Sequence, residues 1–164
     1  MILKVYRELK CPEEVIKHSQ VVRKRALKLA SKFKGQLDLE LIATGALLHD
    51  VGRCRSNNIR HAIVGAQILK NAGFPPEIVK IVERHIGAGI PPEEALKLEL
   101  PPKDYTPQSV EEKVVAHADN LVHGDQEVGL HFVLKKWEKH LGSDHPSLER
   151  LKNLHQELAG KDFL

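Results

Sequence analysis

Apolar residues recur every three or four positions along almost the whole chain, and no segment alternates apolar with polar residues long enough to make a strand. A chain patterned this way must bury helical stripes against one another. The expected fold is therefore all-α, a compact single-domain bundle of about seven helices. Composition agrees: 41% of the 164 residues are hydrophobic but only 4% are aromatic, so the core must be mainly Leu, Ile, Val and Ala. That length suits one domain over 1–164, and no repeat, low-complexity tract or linker divides it.

The helices can be placed by their stripes and punctuation. The first starts near Pro12, with Glu13 and Glu14 at its positive end and Val15, His18, Val22, Ala26, Leu29 and Phe33 on one face. Gly35 stops it. Asp38 is a good N-cap for a second helix running to His49-Asp50, where Gly52 breaks it. A third covers His61 to Asn71, with Val64, Ile68 and Ala72 on the side of His61, and Gly73 closes it. A fourth opens at Pro75-Pro76-Glu77 and carries Ile78, Ile81, Val82 and His85 inward. Ser109 and Glu112 read as the capping box of a fifth, in which Val115, Asp119 and Val122 share a face. Leu130, Leu134, Trp137 and Leu141 mark a sixth; Leu148, Leu151, His155 and Leu158 mark a seventh. These last two faces can pack within the chain or against a partner. Between the fourth and fifth, residues 86–108 carry five prolines and form the one long irregular stretch, with room for a short helix at Glu93 to Leu98.

Several function classes are disfavoured. A net charge of +3, from 25 basic and 22 acidic residues, is too small a surplus to imply specific nucleic-acid binding. Arg23-Lys24-Arg25, the densest basic run, falls in a helical pattern and reads as a solvated face. Cys11 and Cys54 do not make a disulfide framework, and Cys54 reads as a bystander thiol. With no secretory signal and no apolar run long enough to cross a bilayer, no membrane partner and a cytoplasmic location are expected.

Ten histidines are a high count for this length, and their positions carry the chemistry. Five helices each bring a metal-competent residue onto an apolar face: His18, the pair His49-Asp50, His61, His85 and Asp119. An unsatisfied polar group on a buried face costs about 1–3 kcal/mol. Singly, each has an ordinary alternative as a hydrogen-bonded core histidine, a helix-terminal residue or a carboxylate paired with arginine. Together they invite one explanation, because a divalent transition ion satisfies imidazoles and carboxylates at once; Fe, Mn, Co, Ni and Zn all accept such ligands. His49 and Asp50 sit about 100° apart around a helix, so both reach one ion only near that helix's end.

His18, His49-Asp50 and Asp119 in this order resemble the H…HD…D signature of the HD-domain superfamily of metal-dependent phosphohydrolases. His49-Asp50-Val51-Gly52 is similar to its HDIG variant, and Ala116-His117-Ala118-Asp119 to its last metal-binding helix. His61 and His85 resemble the extra histidines of binuclear members. The pattern is nearest to that of the bacterial symmetrical diadenosine-tetraphosphate hydrolases and spans about residues 12–125. Two departures stand out: Arg53 replaces the common Lys after the motif, and Ile86-Gly87-Ala88-Gly89 replaces a Thr-rich turn after His85.

The resemblance implies an HD-domain fold with two divalent ions. His18, His49, Asp50 and Asp119 would hold the first ion; Asp50 would bridge; His61 and His85 would complete the second site. His61 and His85 have an alternative use, binding phosphate directly or acting as general acids. The implied activity is hydrolysis of a phosphoester or phosphoanhydride bond of a small nucleotide or dinucleotide, with Asp50 and Arg53 catalytic. Deoxynucleoside monophosphates are a further substrate class, and the rival from another class is a non-catalytic regulatory module that binds metal or nucleotide. Arg53, Arg55, Arg60, Arg84 and Lys103 are the cations available for phosphate, Arg53 first among them. His123, one turn beyond Asp119, is expected to face substrate. The 86–108 loop is expected over the site, with Lys103, Asp104 and Tyr105 reaching the substrate. The remaining histidines, His117, His131, His140, His145 and His155, read as surface or packing residues.

Overall fold

The computed structural model describes residues 1–160; the last four positions of the expected domain lie outside the described residues. The described residues form nine α-helices: α1 (Ile2–Glu8), α2 (Glu13–Ala30), α3 (Leu39–Leu48), α4 (His61–Asn71), α5 (Pro76–Glu83), α6 (Pro92–Lys97), α7 (Val110–Asn120), α8 (Leu130–Leu141) and α9 (Pro146–Ala159). The all-α expectation holds, with two helices beyond the seven. Of these, α6 is the short helix allowed for in the proline-rich stretch. The other, α1, went unread, although Ile2, Val5, Tyr6 and Leu9 have helical spacing. A two-residue hairpin, β1 (Val122–His123) with β2 (Gln126–Glu127), joins α7 to α8, and Gly124 makes its corner at φ +63°. No helix among the described residues is long and apolar enough to cross a membrane.

Local chemistry sets the helix ends. The Asp38 carboxylate accepts the Leu41 N–H at 2.9 Å, and Ser109 with Glu112 forms the reciprocal capping box. The α2 stripe buries Val15, Val22, Ala26 and Leu29 as expected. With Ile42 and Ala46 of α3, Ile81 of α5, Val114, Val115 and Ala118 of α7 and Leu151 of α9, Val22, Ala26 and Leu29 form the main core, while Val15 packs in a second cluster with Val5, Tyr6, Leu48, Val51 and Leu69. Each fully buried Leu or Ile contributes about 2 kcal/mol by leaving water.

The buried face of α4 differs from the expected one. His61, Ala62, Gly65, Ala66 and Leu69 face inward, while Val64 and Ile68 are half-buried and Ala72 is exposed. The reason is a close backbone approach. A Cβ at Gly52 would lie 1.8 Å from the His61 carbonyl oxygen and 2.7 Å from the Gly65 amide nitrogen. The 3-10 turn Val51–Cys54 therefore lies directly on the first turns of α4, and only small residues fit beneath it.

The cysteine expectation is also corrected. Cys11 and Cys54 are joined as a disulfide, with Cα atoms 4.9 Å apart. The corner between α1 and α2, where Lys10 has φ +51°, folds back over the turn that follows Asp50. Arg55 donates to the Leu9 carbonyl at 2.9 Å across the same seam.

Candidate metal centre

Six polar side chains meet where α2, α3, α4, α5 and α7 converge. His18 projects from mid-α2, His49 caps the C-terminus of α3 and Asp50 follows it. Because the helix stops there, two adjacent residues can face one point, as their spacing required. His61 opens α4, His85 follows the end of α5, and Asp119 lies in the last turn of α7. His49, Asp50, His61 and His85 are all at most 4% exposed.

Asp50 stands between two groups of imidazoles. Its Oδ1 lies 3.1 Å from His61 Nε2 and 3.3 Å from His85 Nε2; its Oδ2 lies 3.5 Å from His18 Nε2 and 3.6 Å from His49 Nε2. Asp119 Oδ1 joins the second group, 2.9 Å from His18 Nε2 and 3.3 Å from His49 Nε2. Candidate ligand atoms of His18, His49, Asp50 and Asp119 lie within 4.8 Å of one another, and so do those of Asp50, His61 and His85.

The backs of the four rings explain the fronts. His49 Nδ1 contacts the Ala46 carbonyl at 2.6 Å, His61 Nδ1 that of Asn58 at 2.8 Å, His85 Nδ1 that of Val82 at 2.6 Å and His18 Nδ1 that of Gly124 at 2.5 Å. Only an N–H can face a carbonyl, so each Nδ1 carries a proton and donates it outward. Three of these bonds run from residue i to the carbonyl of i−3, and those of Ala46 and Val82 are among the carbonyls that the ends of α3 and α5 leave unpaired. A neutral ring so held presents a bare Nε2 lone pair inward.

The interior atoms fit a cation. His49 Nε2 and Asp50 Oδ1 are buried without a hydrogen-bond partner, and the Nε2 atoms of His61 and His85 face each other at 3.1 Å. Two lone pairs at that separation repel unless a proton or metal ion lies between them. Electrostatics agree. Burial lowers His49, but the Asp50 and Asp119 carboxylates outweigh it and push it up to about 9. Burial likewise opposes the rise of His18, which Asp119 drives. Asp50 is held well below the usual carboxylate range, its burial outweighed by His49 and by the neighbouring His61 and His85 rings. Burial wins at His85, which is lowered despite Asp50. The carboxylates thus demand positive charge at their centre, which protons or metal ions can supply.

The flanking cations divide sharply. Arg53 lines the cleft over the centre and places Nε 3.1 Å from Asp50 Oδ2. His123 also lines the cleft. The other expected cations are placed elsewhere. Arg84 pairs with Glu112 at 2.5 Å, Lys103 with Glu83 at 2.7 Å, Arg55 reaches Leu9, and Arg60 donates to the Glu99 carbonyl at 2.6 Å. The 86–108 stretch gives the cleft only Ile86 and Gly87. It folds onto its own small core instead: Ile90 bridges Tyr105, Ala95 and Leu100 are buried with them, and the Tyr105 hydroxyl donates to the Pro101 carbonyl. Asp104 binds Thr106. Sequence reasoning missed Phe132, Lys136 and Trp137, which α8 contributes to a cleft of about 660 Å³. Trp137 was read only as part of a packing stripe; the i,i+4 pair Phe132 and Lys136 was the available signal.

An all-helical bundle that converges four imidazoles and two carboxylates on one buried point, beneath an open cleft, is the framework of a metal-binding helical domain. The chain belongs to the HD domain family, whose model matches residues 15–123, the span that holds all six side chains. An uncharacterized protein of Methanocaldococcus jannaschii is 51% identical over 151 residues, covering 90% of this chain and 89% of that protein. A tRNA (cytidine(56)-2'-O)-methyltransferase of Picrophilus torridus is 50% identical over 153 residues, 91% of this chain, which spans only 43% of that enzyme. The fold is also that of the HD domain of the Listeria monocytogenes phosphodiesterase PgpH, solved with cyclic-di-AMP, at a TM-score of 0.60 and 18% identity over 93% of this chain and 92% of that one.

Proposed function

We propose that this chain is a metal-dependent phosphohydrolase that cleaves a phosphoester or phosphoanhydride bond of a small nucleotide or dinucleotide. One observation carries the reading: Asp50 turns one oxygen toward each of two histidine groups whose ring protons are committed outward to the backbone. His18, His49, Asp50 and Asp119 would hold one divalent transition ion, and Asp50, His61 and His85 a second. When bound, such ions supply Lewis acidity that makes hydroxide available near neutral pH and offsets charge on the phosphate.

The side chains around them do the rest. Arg53 commits Nε–H to Asp50, which steadies the shared carboxylate, and keeps four guanidinium donors for phosphoryl oxygens. Arg53 therefore both positions Asp50 and binds substrate. Asp119 is the more exposed carboxylate, its side chain 22% accessible against 5% for Asp50, so it is the one placed to orient the attacking water. A cleft of about 660 Å³ has room for a nucleotide, and the dinucleotide bound by the structural neighbour agrees with that class. The diadenosine type of substrate belongs to the same reading. Methyl transfer forms no part of it, because the relative so named extends well beyond the shared segment.

The test is metal analysis of the purified chain, followed by hydrolysis assays with Mn, Co, Ni, Mg and Fe over a broad nucleotide panel. The expected result is about two ions per chain and turnover that chelation removes and metal restores. Bound metal without turnover on any nucleotide would leave a binding module, and no bound metal would remove the centre.

A further inference from the structure

The metal-competent side chains fall within the family match, but a wall of the cleft above them comes from α8, which lies beyond it. Phe132, Val133, Lys136 and Trp137 stand at i, i+1, i+4 and i+5, so one face of the helix meets the cleft. In a chain so poor in aromatics, its one tryptophan and the 45% exposed Phe132 both stand there. Trp137 is backed by Gly87: a Cβ there would sit 3.2 Å from the indole, and the φ of +56° also favours glycine, so the backbone after His85 lies close against the ring. Ile59 and Ile86 add further apolar lining. A second cavity of about 410 Å³ continues past the same four residues, Ile59, Ile86, Gly87 and Trp137, so the space beside the indole is deeper than a phosphate needs.

A basic pair stands beside this apolar slot. Lys136 Nζ lies 3.3 Å from His123 Nδ1, and the His123 ring meets Phe132 edge-on with centroids 5.3 Å apart. Among the described residues, no carboxylate pairs with Lys136. The hairpin carrying His123 also offers the Gly124 carbonyl to His18, which ties this wall to the metal centre.

We infer that α8 is the specificity wall of the site: the indole of Trp137 and the ring of Phe132 receive a nucleobase, and Lys136 with His123 receives a second phosphate that is not the one being cleaved. The favoured ligand is a nucleotide with two phosphoryl groups rather than one. This rests on the hydrolase reading for which phosphate reacts, but not for whether α8 binds nucleotide. An indole or phenyl face stacks on any base, and a lysine placed beside it selects for the anion.

Because Trp137 is the only tryptophan, its fluorescence reports the wall directly, without catalysis. The full chain is titrated with α,β-methylene-ADP, AMP and inorganic phosphate. The expected result is quenching by the two nucleotides and not by phosphate, with the diphosphate analogue saturating at about tenfold lower concentration than AMP. Lys136→Gln erases that difference, and Phe132→Ala weakens both nucleotides. Both positions face the cleft, and circular dichroism verifies the fold of each variant. No quenching by nucleotide, equal responses to all three ligands, or an unchanged preference in Lys136→Gln overturns the inference. Metal-dependent hydrolysis of bis(p-nitrophenyl) phosphate separates the two claims: turnover without quenching sinks the wall alone, and quenching without turnover of any phosphoester sinks only the hydrolase reading.

Discussion

Two buried histidine clusters lie in the same bundle, and they behave oppositely. At the candidate metal centre, four rings donate Nδ1–H to backbone carbonyls, aim Nε2 inward and share two carboxylates. On α7, facing α9, His117 Nε2 meets His155 Nδ1 at 2.8 Å, with the Asn120 amide 3.4 Å from the other His117 nitrogen. His117 and His155 are as buried as His49. Yet burial, with the charges of His155 and Arg25 adding to it, pushes His117 down to about 3, whereas carboxylates push His49 up to about 9. Burial alone therefore does not make a histidine a ligand. What marks a candidate ligand is a committed back nitrogen, an unanswered front nitrogen and a carboxylate within reach.

The largest effect should come from breaking the first cluster at its shared member. Asp50→Ala is expected to lose bound metal and to lower kcat/KM about a thousandfold, several kcal/mol of transition-state stabilisation; metal analysis with the nucleotide assay reads both. Normal activity in this variant would remove the centre.

The covalent tie is next in size. Cys54 ends the turn after Asp50, and its bond to Cys11 spans a sequence separation of 43, whereas the His117 side has no such tie among the described residues. Reduction, or Cys11→Ser, is expected to cost about 2–4 kcal/mol in urea unfolding. Equal midpoints with and without dithiothreitol would show that the bond does not form.

His117→Ala should do the reverse of Asp50→Ala: a loss of about 2–3 kcal/mol of stability with metal content intact, because it leaves a cavity beside His155. The pH dependence separates the clusters again. The folded value of His117 lies below its ordinary 6.5, so the unfolded chain binds the proton first as pH falls. Its contribution is whole above pH 6.5 and declines by about 1.4 kcal/mol per unit toward pH 3. His49, raised instead, holds its proton up to about 9 in the chelated protein. NMR titration of the two imidazoles checks both, and similar values for the pair would cancel the contrast. Smallest of all, Lys103→Ala should leave KM within about twofold, since its ion pair with Glu83 is half exposed and outside the cleft. A large rise in KM would return the 86–108 stretch to the site.

Much of this was legible in the linear chain. Helical spacing with few aromatics made the all-α bundle, the Ser109–Glu112 box opened α7, and Gly52 marked the break after His49-Asp50. All six converging side chains were readable because polar groups on apolar stripes are costly and must be answered somewhere. These features are local: spacing, capping and burial each depend on neighbours within a turn or two. What only the tertiary structure decided depends on residues far apart in the chain. The face of α4 turned because the Gly52 backbone presses on it, and Cys11 found Cys54 because an unread helix folded back. The 86–108 stretch made its own core instead of covering the cleft, while α8 supplied the cleft wall. The two faces of Asp50 were set the same way, since no rule of local spacing tells a carboxylate which imidazoles five packed helices will bring to each of its oxygens.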